Sequence, residues 1–346
     1  MSTLGTLAFF VLLAAPQDPA KPQSPQAASP PAYKVLRSFA VGGDGGWDYV
    51  SVDSEARRLY VSRGSHVVVL DADSGKQVGD IKDTAGVHGA LVAPGSGHGF
   101  TSNGRADSVT VFDSKTFEVQ KTIAAGKNPD ALVYDPTTNC VCIANGRSHD
   151  VSVIDVKKLE VVATIAVGGK PEAMVVDGKG SLFVNIEDTS EVVRIDAKKN
   201  AVAQRFALAP GTEPSGLAID TEHGTLFSAC GNAMLVVLDA ATGKVLASPK
   251  IGTGVDGAAF DAASGLAFAS NGEGTLSIVA TRGEKPFTVV QTLPTLATAR
   301  TLTIDAKTHC LYLPCAETEA APAEATGGRR RPALKKDSFR VLVVGN

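Results

Sequence analysis

From Tyr33 onward the chain is a succession of short aliphatic and β-branched runs separated by polar breaks, and the runs recur at a nearly fixed spacing. Seven copies align on the polar residue that opens each: DYVSVD from Asp48, HGALVA from His88, DALVYD from Asp130, EAMVVD from Glu172, SGLAID from Ser215, DGAAFD from Asp256 and RTLTID from Arg300. The steps between them are 40, 42, 42, 43, 41 and 44 residues. A period of that length marks a repeat architecture, so a polar cluster inside one copy has to be judged against the same position in the others.

Each copy carries further runs at fixed offsets. The second are LYVS, FTSN, CIAN, LFVN, LFSA, FASN and LYLPC; the third are VVVLD, VTVFD, VSVID, VVRID, LVVLD, LSIVA and VLVVG. Fourth runs exist in six copies only, because the seventh reaches Asn346 first, and an orphan run, YKVLRSFA, starts at Tyr33 just upstream of the first copy. Four strands per copy around a closed ring predict an all-β fold, a seven-bladed β-propeller whose last blade takes three strands from the C-terminus and one from the N-terminus. Closure of that kind removes the sheet edges that would otherwise invite aggregation. Six of the first runs end in Asp (Asp53, Asp135, Asp177, Asp220, Asp261 and Asp305), each placed to bond the backbone two residues on and start a turn.

The segment VSVIDVKKLEVVATIAVGGKP, residues 151 to 171, resembles the signature of the YVTN family of seven-bladed propellers, and the chain from about Tyr33 is similar to its YncE-like bacterial members. The resemblance implies a propeller, an exported or surface location and, as in some relatives, binding of single-stranded nucleic acid. It implies no shared catalytic motif.

The unbroken period leaves no domain boundary between 33 and 346, and an all-β chain of this length folds as one domain. A formal net charge of −3 gives no global electrostatic footprint for DNA or an anionic membrane. Residues 1 to 15, MSTLGTLAFFVLLAA, hold an apolar core too short to span a bilayer and read as a signal peptide. Residues 16 to 32, rich in Pro, Gln and Ala, read as a disordered spacer, and the two together predict a periplasmic or secreted protein without a membrane span. Among the five cysteines, Cys140 and Cys142 lie two apart on one strand, and Cys310 and Cys315 sit at opposite ends of another, about 16 Å apart. Neither pair suits a disulfide.

In a propeller the opening residues of the copies ring one mouth of the central channel. Asp48, His88, Asp130, Glu172, Ser215, Asp256 and Arg300 are expected there. Arg63, Asn103, Asn145, Asn185 and Asn271 follow about fifteen residues later as a second ring on the same rim, although Asn-Gly at 103, 145 and 271 also suits a turn that needs positive φ. Blades 2 to 4 are richest in candidates, adding Arg105, Arg147, His149, Glu187 and Asp188. The small residue after each opening position (Gly89, Ala131, Ala173, Gly216, Gly257) reads as packing at the axis.

The variety of the opening ring suits different groups converging on one ligand. The leading expectation is therefore non-enzymatic binding of a small polar ligand or a partner's loop by a monomer, with no required cofactor. A lactonase-like hydrolase, with a carboxylate base and His88 or Arg300 steadying charge, is the alternative. Ca²⁺ on the oxygens of Asp130, Glu172, Asn185, Glu187 and Asp256 is a further option; zinc is disfavoured because the histidines fall in different copies. The insertion 316 to 338, acidic and then basic through Arg329, Arg330, Arg331, Lys335 and Lys336, reads as a mobile loop near the mouth. It lacks an aromatic platform for stacked bases, which limits any nucleic-acid contact to weak phosphate binding.

Overall fold

A computed structural model describes residues 1–2, 32–43, 45–319 and 333–346. The signal-peptide and spacer segments fall almost wholly outside these residues, as do Arg329, Arg330 and Arg331. The described residues form seven four-stranded antiparallel sheets and no helix. In six of them the strands lie in chain order from the channel outward. In the seventh, the N-terminal strand Lys34–Ala40 pairs with Arg340–Gly345, which pairs with Leu311–Cys315 and then Thr303–Ile304. The orphan run thus closes the ring as expected from its position upstream of the first copy.

The reason the sequence closes this way lies in where the apolar side chains go. Each second and third strand is buried on both faces, and seven apolar clusters fill the spaces between neighbouring blades. The cluster between blades 7 and 1 brings Phe39 of the N-terminal strand against Val50, Leu59, Tyr312 and Val341. Phe39 and Tyr312 stack at 6.4 Å, and Tyr33 meets Phe268 edge-on at 5.2 Å. Outer strands such as Glu160–Ala166 alternate exposed and half-buried residues, as half-solvated strands do.

The aspartates that end the inner strands act as turn starters. Asp53 Oδ1 accepts from the amides of Glu55 and Ala56 at 3.1 and 2.9 Å, and Asp177 Oδ1 from Lys179 and Ser181 at 2.7 and 2.8 Å. The small column at the axis is packing. A Cβ on Gly216 would fall 2.6 Å from the backbone of Gly257 and Ala258, and one on Gly257 would fall 3.0 Å from Leu302 N. All five cysteines are free.

The stems of the insertion are bonded to each other: Glu319 N–H donates to Ala333 C=O at 2.8 Å and Lys335 N–H to Glu317 C=O at 2.8 Å. Glu317 also holds Lys335 Nζ at 3.0 Å and Arg340 at 2.7 Å. The stem persists because its two ends leave adjacent strands of blade 7. The stretch 320–332 lies outside the described residues.

A ring of charge at the channel mouth

Five of the seven opening residues reach the channel because the inner strands bulge where they sit. Pairing of the first two strands skips between Val87 and Gly89, Pro129 and Leu132, Pro171 and Met174, Pro214 and Leu217, and Val255 and Gly257. His88, Asp130, Glu172, Ser215 and Asp256 lie inside these irregularities. A bulge re-aims a side chain out of the regular alternation, and here it does so in five of the seven blades. Backbone bonds between neighbouring inner strands hold the ring, as in Tyr49 N–H to His88 C=O at 2.9 Å.

Five of the seven opening side chains form one continuous chain of charge. Arg300 pairs with Asp256 and lies 3.5 Å from Asp48 Oδ1; Asp48 Oδ2 is 2.6 Å from His88 Nδ1, which is 3.5 Å from Asp130 Oδ1. Glu172 forms a second group with Lys170 at 2.6 Å, and Lys170 also pairs with Glu187. Ser215 leaves the ring, its hydroxyl donating to Val255 C=O at 3.0 Å.

The carboxylates Asp48, Asp130, Glu172, Glu187 and Asp256 share Arg300, Lys170 and His88 as their cations. Burial and the neighbouring Asp48 and Asp256 push the Asp130 carboxyl up to about 7, against the pull of His88 and Lys170. Burial and Asp130 push Glu172 up to about 8 although Lys170 opposes. Glu187, with burial outweighed by its bonds to Lys170 and Glu172, stays below its ordinary value. For His88 burial favours the neutral ring, but the bond to Asp48 and the charge of Asp130 outweigh it and raise its pKa. Tyr49, half-buried behind the ring, is pushed well up by desolvation and then by the surrounding carboxylates.

Two cavities open on this ring and share Asp48 and Arg300. One, of about 590 Å³, is lined by Trp47, His88, Arg105, Asn128 and Arg147 among others; the other, of about 330 Å³, by Asp130, Lys170, Glu172, Glu187 and Asp256. Arg105 and Arg147 are exposed and make no side-chain hydrogen bond or close ion pair among the described residues.

The second ring does not share the rim. Asn103, Asn145, Asn185 and Asn271 are fully buried at or near the ends of second strands. Asn103 Nδ2 donates to Thr110 Oγ1 at 2.9 Å, Asn145 Nδ2 to Ser152 Oγ at 2.8 Å, and Asn271 Nδ2 to Ser277 Oγ at 3.0 Å. Asn185 donates to Gly216 C=O at 3.0 Å. None of the four has positive φ; Asp107, His149 and Gly274 carry that conformation in the turns that follow Asn103, Asn145 and Asn271. These asparagines pair polar groups inside the blades. Arg63 is buried as well, its guanidinium 3.7 Å from the Phe339 ring centroid and bonded to the carbonyls of Gly42 and Gly43. His149 is exposed in its turn and lines neither mouth cavity.

Lys170 was not among the candidates, yet it organises the acidic half. It precedes Glu172 by two residues in the link from blade 3 to blade 4, and Asn128, which lines the larger cavity, holds the same place relative to Asp130. The incoming links were the signal that could have found both.

A model of YNCE-like beta-propellers matches residues 88–292, more than half of the chain. No curated protein matches the sequence. Among solved structures, a chain of Kuenenia stuttgartiensis hydrazine synthase is similar at a TM-score of 0.71 and 15% identity, over 79% of this chain and 94% of that one. At that identity the likeness is one of fold.

Proposed function

Because the chain belongs to the YNCE-like beta-propeller family, we propose that it is a binding protein whose channel mouth takes a small polar ligand, or the loop of a partner, carrying an anionic group beside a cationic or hydrogen-bond-donating one. The observation that carries this reading is the polarity of the mouth. Arg105, Arg147 and Arg300 line one cavity, the carboxylates of Glu172, Glu187 and Asp256 line its neighbour, and the two share a boundary at Asp48 and Arg300. Convergent, unlike groups in a preformed cavity fix both the orientation and the identity of a ligand.

A thermal-shift screen of the purified chain with zwitterionic, anionic and cationic small molecules tests the reading. Zwitterionic hits should weaken when Arg105 and Arg147 are both changed to Ser, and separately in Glu172→Gln. Hits insensitive to both changes would refute it.

The hydrolase reading is favoured by one observation, the 2.6 Å contact that lets Asp48 orient His88 as a base. No hydroxyl or thiol hydrogen-bonds His88 among the described residues, so the nucleophile would have to be water. Turnover in a broad ester and lactone screen, abolished by His88→Gln, would put this reading first. Export is part of the proposal: no helix among the described residues is long and apolar enough to cross a membrane, and the apolar stretch within residues 1 to 15 supports a signal. Cell fractionation with N-terminal sequencing of the mature chain decides it, and a full-length cytosolic product starting at Ser2 would refute it.

A further inference from the structure

We infer that Asp48, His88 and Asp130 form a binding site for one divalent first-row transition cation at the base of the channel mouth. The three residues come from the openings of consecutive blades 1, 2 and 3, and their donor atoms all lie within 4.8 Å of one another. A cation held about 2.1 Å from three donors needs them roughly 3.0 to 3.4 Å apart. The His88–Asp130 edge, at 3.5 Å, is already there, and the Asp48–His88 edge, at 2.6 Å, has to open by a few tenths of an ångström.

Asp130 supplies the independent argument. Its side chain is nine-tenths buried and accepts no hydrogen bond among the described residues; the one cationic group within 4 Å is His88 Nδ1. Buried carboxylates are ordinarily hydrogen-bonded, closely paired or coordinated to a metal, and this one, paired only with His88 at 3.5 Å and facing a second carboxylate, offers a ligand set for a cation.

The surroundings orient the donors as outer-shell groups do. Nδ1 of His88 faces the carboxylates, while the other edge of the ring rests on Gly104, where a Cβ would fall 2.6 Å from Nε2. The second oxygen of Asp48 is 3.5 Å from Arg300, which Asp256 holds in turn. Lys170, which lines the smaller cavity together with Asp130, is taken by Glu172 and Glu187. Two carboxylates neutralise a dication, and the three donors border both cavities: Asp48 and His88 line the one of about 590 Å³, Asp48 and Asp130 the one of about 330 Å³.

One imidazole with two carboxylates selects borderline cations such as Zn²⁺ or Co²⁺ over Ca²⁺, which needs six to eight oxygens. The oxygens considered for Ca²⁺ are engaged elsewhere: Asn185 is bonded inside the blade, Glu172 and Glu187 hold Lys170, and Asp256 pairs with Arg300. The site goes beyond the ligand-binding reading and needs no ligand to test.

The full chain, stripped with chelator and dialysed, is titrated with Zn²⁺ and with Co²⁺ by calorimetry and visible absorption. We expect one equivalent of each, retained in a large excess of Ca²⁺ and Mg²⁺, with a higher melting temperature on Zn²⁺ addition. His88→Gln and Asp130→Asn should each weaken binding by roughly 100-fold, whereas His98→Gln, far along blade 2, should not. Should either variant fail to fold, the wild type decides alone, since the side-chain ¹⁵N resonance of His88 Nδ1 must shift on Zn²⁺ addition. Absence of stoichiometric binding, equal competition by Ca²⁺, binding undiminished in both variants, or an unshifted His88 would each overturn the assignment.

Discussion

Replacing Phe39 by Ala isolates the closure of the ring from everything else in the fold. The side chain is 6% exposed and sits between blades 7 and 1, stacked on Tyr312 and pressed so closely on Gly75 that a Cβ there would lie 2.2 Å from Cδ1. Phe→Ala in a packed core costs about 3–5 kcal/mol, and the lower figure applies where an outermost strand can relax. Unfolding entropy of ~2.1 cal/mol/K per residue gives a propeller of this size ~0.7 kcal/mol/K, so about 3 kcal/mol lowers the melting temperature by about 4–5 °C. Val35, on the same strand but 41% exposed, provides the control. Val35→Ala should change stability by no more than about 0.5 kcal/mol. The assay is a thermal melt by circular dichroism, with limited proteolysis to show whether Lys34–Ala40 becomes the first accessible segment. If the two variants melt together, or Phe39→Ala melts like the wild type, blade 7 does not depend on its N-terminal strand and the reasoning about closure fails.

Three further outcomes follow from the same geometry. The bond between Arg57 and the fully buried Asp305 side chain is 2.5 Å long, and Asp305 titrates at about 2, since its bonds to hydroxyls, Arg57 and the Lys307 amide outweigh burial, which opposes them. A depressed carboxylate pKa stabilises above the unfolded value and loses that contribution as pH falls through the folded one; Asp305→Asn should therefore cost roughly 2 kcal/mol at pH 7, with the difference from wild type vanishing between about pH 4 and 2 in urea melts. Gly216→Ala, whose new methyl would meet the backbone of the next blade 2.6 Å away, should destabilise by about 1–3 kcal/mol, and an unchanged melt would show that the axis has slack. Deleting residues 320 to 332 while keeping the bonded stem at Glu317, Lys335 and Arg340 should leave the melt unchanged and remove any salt-sensitive binding of single-stranded nucleic acid; binding that survives the deletion and 200 mM salt (on the order of physiological strength) would place that activity in the mouth.

The period of the apolar runs determined the fold. Strand number, blade number and the shared seventh blade follow from local spacing, because each four-stranded copy repeats one pattern and the orphan run at Tyr33 supplies the missing strand. The turn role of Asp53 and its equivalents, and the packing role of Gly216 and Gly257, were equally legible, since they depend on a few neighbouring residues. The opening ring was legible as a set, because strand order alone places Asp48, His88, Asp130, Glu172, Asp256 and Arg300 at one mouth. Which side chains reach that mouth was not. Asn103, Asn145, Asn185 and Asn271 share its end of the blades, but only packing decides that they turn inward onto hydroxyls and carbonyls, and that Arg63 lies under Phe339. The pairing of His88 with Asp48 and Asp130 spans 40 and 42 residues of sequence. It exists because bulges in two adjacent inner strands aim His88 and Asp130 at the point that Asp48 reaches from the link ahead of its own strand, and that convergence is a property of the closed ring that no single copy contains.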